Sequence, residues 1–247
     1  ETVMAFVAEP VVGASLGTQP APTGYFKRIR EICNTYGVLL IADEVMCGMG
    51  RTGSLFALEQ EGIAADITTL AKGLGAGYQP IAALMAAENV IRIIKNGSGT
   101  LWNGHTYMSH AIATAGALAV QQVIEEENLL TDVRTRGEQL RKGLQTRLSQ
   151  NPHVGNIRGR GLFWTVELVQ DRTTKQPFDA KLGLAPKVRE IALDLGLMCY
   201  PSQGCADGTQ GDHVLLAPAY TSTRKEIETI CDLITQAIET ALTGLEA

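Results

Sequence analysis

The stretch Val38–Val45, VLLIADEV, constrains the fold most. It is a nearly unbroken apolar run that ends in two acids. A run of that length, with no alternation of polar residues, reads as a strand buried on both faces, as in a parallel sheet covered by helices. Its neighbours agree. Val3–Pro10 (VMAFVAEP) reads as a strand, and YFKRIREICNTYG from Tyr25 reads as an amphipathic helix with Gly37 as its C-cap. SLFALEQEG is a short helix, Ile67–Leu70 within DITTLAK a third strand, and Ile81–Ala87 a fourth, antiparallel one. Strand and helix in alternation predict an α/β fold with a doubly wound, mostly parallel sheet.

After Ser109 the pattern changes. SHAIATAGALAVQQVIEEENLL and DVRTRGEQLRKGLQTRLSQ are long amphipathic helices. They are followed by a turn plus strand in GNIRGRGLFWTVELV, a polar insert, the helix APKVREIALDLG, a strand near LMCY, a strand in HVLLAPAY and a last helix from Thr223. This is an α+β texture. The expected division is 1–125, part of a large domain, and 126–247, a small C-terminal domain. The chain opens on a strand-like run without an initiator Met, which reads as the C-terminal part of a longer protein.

Composition narrows the function. The net charge of −5 argues against a nucleic-acid or anionic-membrane surface. No apolar run reaches transmembrane length. The five cysteines are scattered without metal spacing, so no metal is expected and free thiols in a reducing compartment, the cytoplasm, fit best.

Two residues carry the candidate chemistry. Lys72 ends the third strand and is followed by the glycine-rich GLGAGYQP. It is either a solvated strand-end lysine before a turn, or a lysine at the carboxyl edge of a sheet, where α/β folds place ligands. Asp43 ends the Val38–Val45 strand. It is either a solvated acid or helix cap, or a carboxylate that holds a proton on a cationic heterocycle. Pyridoxal phosphate needs both groups: an acid at its pyridine nitrogen and a lysine amine for a Schiff base. Thr106, in WNGHTYMSH, is either a plain cap or a phosphate anchor at the start of a long helix. GMGRTG (Gly48–Gly53) matches a dinucleotide motif literally, with Asp66 near the spacing of a ribose-binding acid. Asp43 and Glu44 stand just before its glycines and would repel phosphate, so the nicotinamide reading is set aside.

The segment from Val38 to Ala86, flanked by AFVAEPVVGA and GHTYMSHAIATAGALA, closely resembles class III, pyridoxal-phosphate-dependent aminotransferases of fold type I, and IRGRGLFWTVEL resembles the family's small domain. The resemblance implies that Lys72 forms the Schiff base and moves the proton. It implies that Asp43 pairs with the pyridine nitrogen, Val45 packs on the ring, Glu9 supports the Asp, and Thr106 holds the phosphate across a homodimer interface. It implies a ping-pong transfer from an amine or ω-amino acid donor to a keto acid such as pyruvate or glyoxylate. Two departures bear on substrate. Ala14 stands where many relatives carry a second Glu, and Leu215 or Leu216 where many carry an Arg for the α-carboxylate; Arg51 and Arg160 are the possible substitutes. An aminomutase or racemase with the same cofactor, and an inactive truncated subunit, remain open as alternatives.

Overall fold

The computed structural model describes residues 2–246. Contacts divide the chain into two units. One comprises the residues up to Pro10 together with Ala21–Leu130, and the other Val11–Pro20 together with the described residues from Thr131 onward. The changeover after Leu130 lies beyond the expected 125/126 division. The excursion of residues 11–20 into the second unit has no signature in the sequence.

In the first unit, the strands β1 (Ala5–Ala8), β4 (Leu39–Asp43), β5 (Ile67–Leu70) and β6 (Ala83–Ala86) form a sheet in the order β1-β4-β5-β6. The pairs β1/β4 and β4/β5 are parallel, and β5/β6 is antiparallel, as expected for a strand reached by a short loop. The helices are α1 (Tyr25–Tyr36), α2 (Glu88–Asn96) and α3 (Ala111–Glu126). SLFALEQEG contains a 3-10 helix at Ala57–Glu61. Along β4, Leu40 and Ala42 are buried while Leu39, Ile41 and Asp43 are only half-buried. The apolar run therefore has one fully covered face, packed where Phe26 of α1 and Leu58 of the 3-10 helix meet Ala42. Val7, Leu84, Met85, Ile112 and Leu118 stay exposed on β1, β6 and α3.

In the second unit, α4 (Leu129–Leu148), α5 (Leu184–Asp194) and α6 (Arg224–Glu246) enclose one core with an antiparallel sheet of order β7-β8-β10-β9. The strands are β7 (Val154–Arg160), β8 (Phe163–Leu168), β9 (Tyr200–Gln203) and β10 (Asp212–Leu216). Trp164, Val166 and Leu168 alternate along β8 into that core, as a period of two requires. Where a turn plus one strand was expected at 155–169, β7 and β8 form a hairpin, since the polar, glycine-bearing GNIRGR hides a strand of low apolar content. β9 begins at Tyr200, at the end of the expected LMCY strand. α6 starts on a capping box: the Glu226 carboxylate accepts from the Thr223 backbone N–H at 2.7 Å, and the Thr223 hydroxyl accepts from the Glu226 N–H. A short hairpin of β2 (Val11–Val12) and β3 (Gln19–Pro20) completes this unit.

The two cores differ in depth, and stability should follow. Ile234→Ala empties a fully buried position of α6 and should cost about 2–5 kcal/mol. Ile93→Ala, on the exposed side of α2, should change stability by less than about 0.5 kcal/mol. Urea unfolding of the two variants checks the contrast.

Candidate active site

The parallel register brings three strand ends to one edge. Ala8 pairs with Ala42, so Glu9 follows β1 at the level of Asp43, the last residue of β4. Asp43 pairs in turn with Thr69, and β5 ends at Leu70, two residues before Lys72. Glu9, Asp43 and Lys72 thus share the carboxyl edge of the parallel strands, the place where open α/β sheets bind ligands.

Lys72 is exposed and opens a short 3-10 turn, Lys72–Leu74. Its φ of 40° lies in the left-handed region, which costs a non-glycine residue about 1–3 kcal/mol. The surroundings enforce it. The Leu74 N–H donates to Ala71 O at 2.8 Å and the Gly75 N–H to Lys72 O at 3.2 Å. The Gln121 side chain of α3 donates to Leu74 O at 3.1 Å. A Cβ on Gly75 would lie 2.8 Å from the Ile81 side chain and 2.9 Å from Gln79 O. That glycine is required because the loop folds tightly on itself. The bracing by Gln121 was invisible in the sequence, where a glutamine on a helix carries no signal.

In the Asp43-Glu44-Val45 run each residue has a different task. One Asp43 oxygen, Oδ1, accepts from the Val45 N–H at 3.0 Å, and Oδ2 accepts no hydrogen bond among the described residues. Val45 is half-buried beside it. Glu44 turns the other way and is 1% exposed. Its carboxylate accepts from the N–H groups of Ala57 at 2.6 Å and Leu58 at 3.0 Å, at the start of the 3-10 helix. Burial pushes the Glu44 carboxyl above its ordinary range, and the two N–H groups pull it partly back.

This contact also decides the glycine motif. GMGRTG runs through turns, and the helical N–H groups that follow it already hold a carboxylate. Asp66 is occupied as well: it accepts from the Arg30 guanidinium at 2.6 Å and the Leu40 N–H at 2.7 Å, tying α1 to the start of β4. Burial pushes the Asp66 carboxyl up, but these donors outweigh it and hold it below the ordinary aspartate value.

Thr106 sits elsewhere than expected. α3 begins at Ala111 with His110 as its N-cap, its ring nitrogen accepting from the Ala113 N–H. Thr106 lies in the preceding turn, exposed, and its hydroxyl makes no hydrogen bond among the described residues. The helix-start placement is corrected: the polar segment before His110 folds as a turn and does not join the helix. Leu215 and Leu216 are buried in β10, and no arginine replaces them there. Arg51 lies in the glycine turn of the first unit and Arg160 ends β7 in the second.

The model of the family "Aminotransferase class-III" matches residues 1–238. The chain belongs to the class III aminotransferases. This aminotransferase chain is 51% identical over 243 residues to an aminotransferase of Gibberella zeae, covering 98% of this chain and 48% of that protein. It is 36% identical to a diaminobutyrate–2-oxoglutarate transaminase of Halomonas elongata, covering 93% and 48%. The structure of a transaminase from the marine bacterium Virgibacillus superposes with a TM-score of 0.91 at 37% identity, covering 98% of this chain and 54% of that one. An amine transaminase from an uncultivated Pseudomonas species gives 0.85 at 36%, covering 96% and 51%. The α/β fold is thus that of the transaminases. The chain spans about half the length of these relatives.

Asp66→Asn should cost about 1–3 kcal/mol, because Arg30 and the Leu40 N–H lose a charged acceptor. The folded carboxyl lies below its unfolded value, so its contribution is complete above the ordinary aspartate value of 3.8 and is lost as pH falls through the folded one. Urea unfolding at pH 7 should separate the variant from the parent, and the gap should close in acid below that range.

Proposed function

We propose that the protein carrying this chain is a pyridoxal-phosphate-dependent transaminase. It moves an amino group from an amine or ω-amino acid to a keto acid such as pyruvate or glyoxylate, in ping-pong fashion. The observation that carries this reading is the shared sheet edge of Glu9, Asp43 and Lys72.

The residues fit the cofactor in two of its three needs. Lys72 offers an exposed amine on a braced turn, and Asp43 has an oxygen left to accept a proton-bearing nitrogen. The phosphate need is not met by a helix start at Thr106 within this chain. When bound, pyridoxal phosphate supplies the electron sink that makes the amino-bearing carbon acidic.

The chain's own part is to hold and to move protons. Asp43, kept in place by the Val45 N–H, would keep the pyridine nitrogen protonated, with Glu9 beside it on the edge. Val45 would pack against the ring. The Lys72 amine would hold the cofactor at rest, then take the proton from the amino-bearing carbon and return it to the cofactor side. The strained backbone at Lys72 fixes where that amine starts from, so less freedom is lost on reaching the reacting carbon.

The proposal includes a homodimer in which Thr106 serves the partner's cofactor phosphate. Its support is the exposed apolar set around Thr106: Leu101, Trp102, Tyr107, Met108 and Ile112. It also includes a reducing, cytoplasmic setting, supported by the scattered cysteine spacing in the sequence. No described helix is long and apolar enough to cross a membrane.

Lys72→Ala should lower turnover by about 10²–10⁴-fold with the fold retained, measured by keto-acid consumption and circular dichroism. An active Lys72→Ala protein, or turnover that needs no external keto acid, would overturn the reading. Trp102→Glu should shift the protein from dimer to monomer in light scattering, and Thr106→Val should weaken cofactor retention.

A further inference from the structure

Lys72 stands on a loop that its own residues do not favour. Lys72 has a φ of 40° and Ala76 a φ of 47°, so both hold left-handed backbone without a glycine's freedom. Such backbone relaxes to the ordinary regions unless the surrounding contacts over-determine it. At Lys72 a relaxation would turn the Cα–Cβ bond, and the change would be carried along the whole lysine stem to the amine.

The outside contact comes from α3, which belongs to the same unit as the loop. Ala113, Ala117 and Ile124 form the buried side of that helix. Gly116 lies beside them, and a Cβ there would meet Gln79 Cγ at 2.8 Å, so the loop comes as near to the helix as a missing side chain allows. Half-buried Gln121 stands one turn after Ala117. Its amide donates to Leu74 O at 3.1 Å, at the end of the turn that Lys72 opens. The Leu74 N–H is bonded back to Ala71 O and the Gly75 N–H to Lys72 O. Gln121 therefore grips a closed set of hydrogen bonds that includes the lysine's own carbonyl. A neutral amide suits the task, because an ionised glutamate of the same size has no proton to give to a carbonyl.

We propose that Gln121 is a positioning residue for Lys72: by fastening Leu74 to α3 it holds the backbone from which the lysine amine reaches. This rests on the transaminase reading of Lys72.

The test uses the protein carrying this chain and the variants Gln121→Met, Gln121→Lys and Lys72→Ala. Hydrogen exchange reads the loop directly and requires no cofactor. Gln121→Met removes the donor at similar volume and should speed exchange of the amides of Leu74, Gly75 and Tyr78 by about tenfold or more. It should lower kcat by about 10- to 100-fold with little change in KM for the amine donor, and Gln121→Lys, which can still donate, should recover part of the loss. If Gln121 acts through Lys72, the double variant Gln121→Met, Lys72→Ala falls no lower than Lys72→Ala alone. Unchanged exchange, a kcat equal to the parent's, or a loss that adds fully to that of Lys72→Ala overturns the proposal. If Gln121→Met does not fold, Gln121→Glu keeps the size, removes the donation and judges in its place. An active Lys72→Ala overturns the transaminase reading itself, whereas an inactive Lys72→Ala beside an unimpaired Gln121→Met overturns the positioning alone.

Discussion

The parallel register of β1, β4 and β5 is the constraint on which the site depends. Ala8 opposite Ala42, and Asp43 opposite Thr69, bring three strand ends to one edge. Parallel strands need crossovers long enough to return the chain to its starting end, and α1 with the 3-10 helix occupies those returns. Slipping one strand by a residue would turn Asp43 to the covered face and Glu44 to the open one. The two adjacent acids make that alternation chemically decisive. One keeps an oxygen available at the edge, and the other is spent on the N–H groups of Ala57 and Leu58.

Around that edge, tight turns are held by contacts distant in sequence. The Lys72 turn bends against its own preference because its loop closes on Gln79 and Ile81 and because Gln121 reaches it from α3. In the second unit, Leu16 and Gly17 are held in the same manner by Arg158, whose charge is balanced by Glu167. In both cases a backbone path is set by a side chain many positions away. That is how a site can be rigid while lying on loops.

The dinucleotide motif illustrates why residue spacing alone misleads. GMGRTG meets the literal pattern, yet the space a phosphate would take at the following helix belongs to Glu44, and Asp66 belongs to Arg30. Thr106 fails in the opposite direction. A hydroxyl close before a helical pattern suggested a helix start, but the turn ending at His110 comes between. The difference is a few residues of boundary, and boundaries depend on which group caps the helix.

By itself the sequence determined the α/β class, most strands of the first unit, the antiparallel fourth strand, and the candidacy of Asp43 and Lys72. These are local: apolar runs read out burial, and charged residues at their ends read out the sheet edge. Only the tertiary structure decided that residues 11–20 fold with the second unit, that Glu44 faces inward, that Gln121 braces the lysine turn, and that GNIRGR is a strand. Each of these depends on a partner far along the chain, as Arg158 does with Leu16, across 142 positions. A pattern of neighbours cannot encode which distant group will satisfy a buried donor or carbonyl, because packing settles that choice.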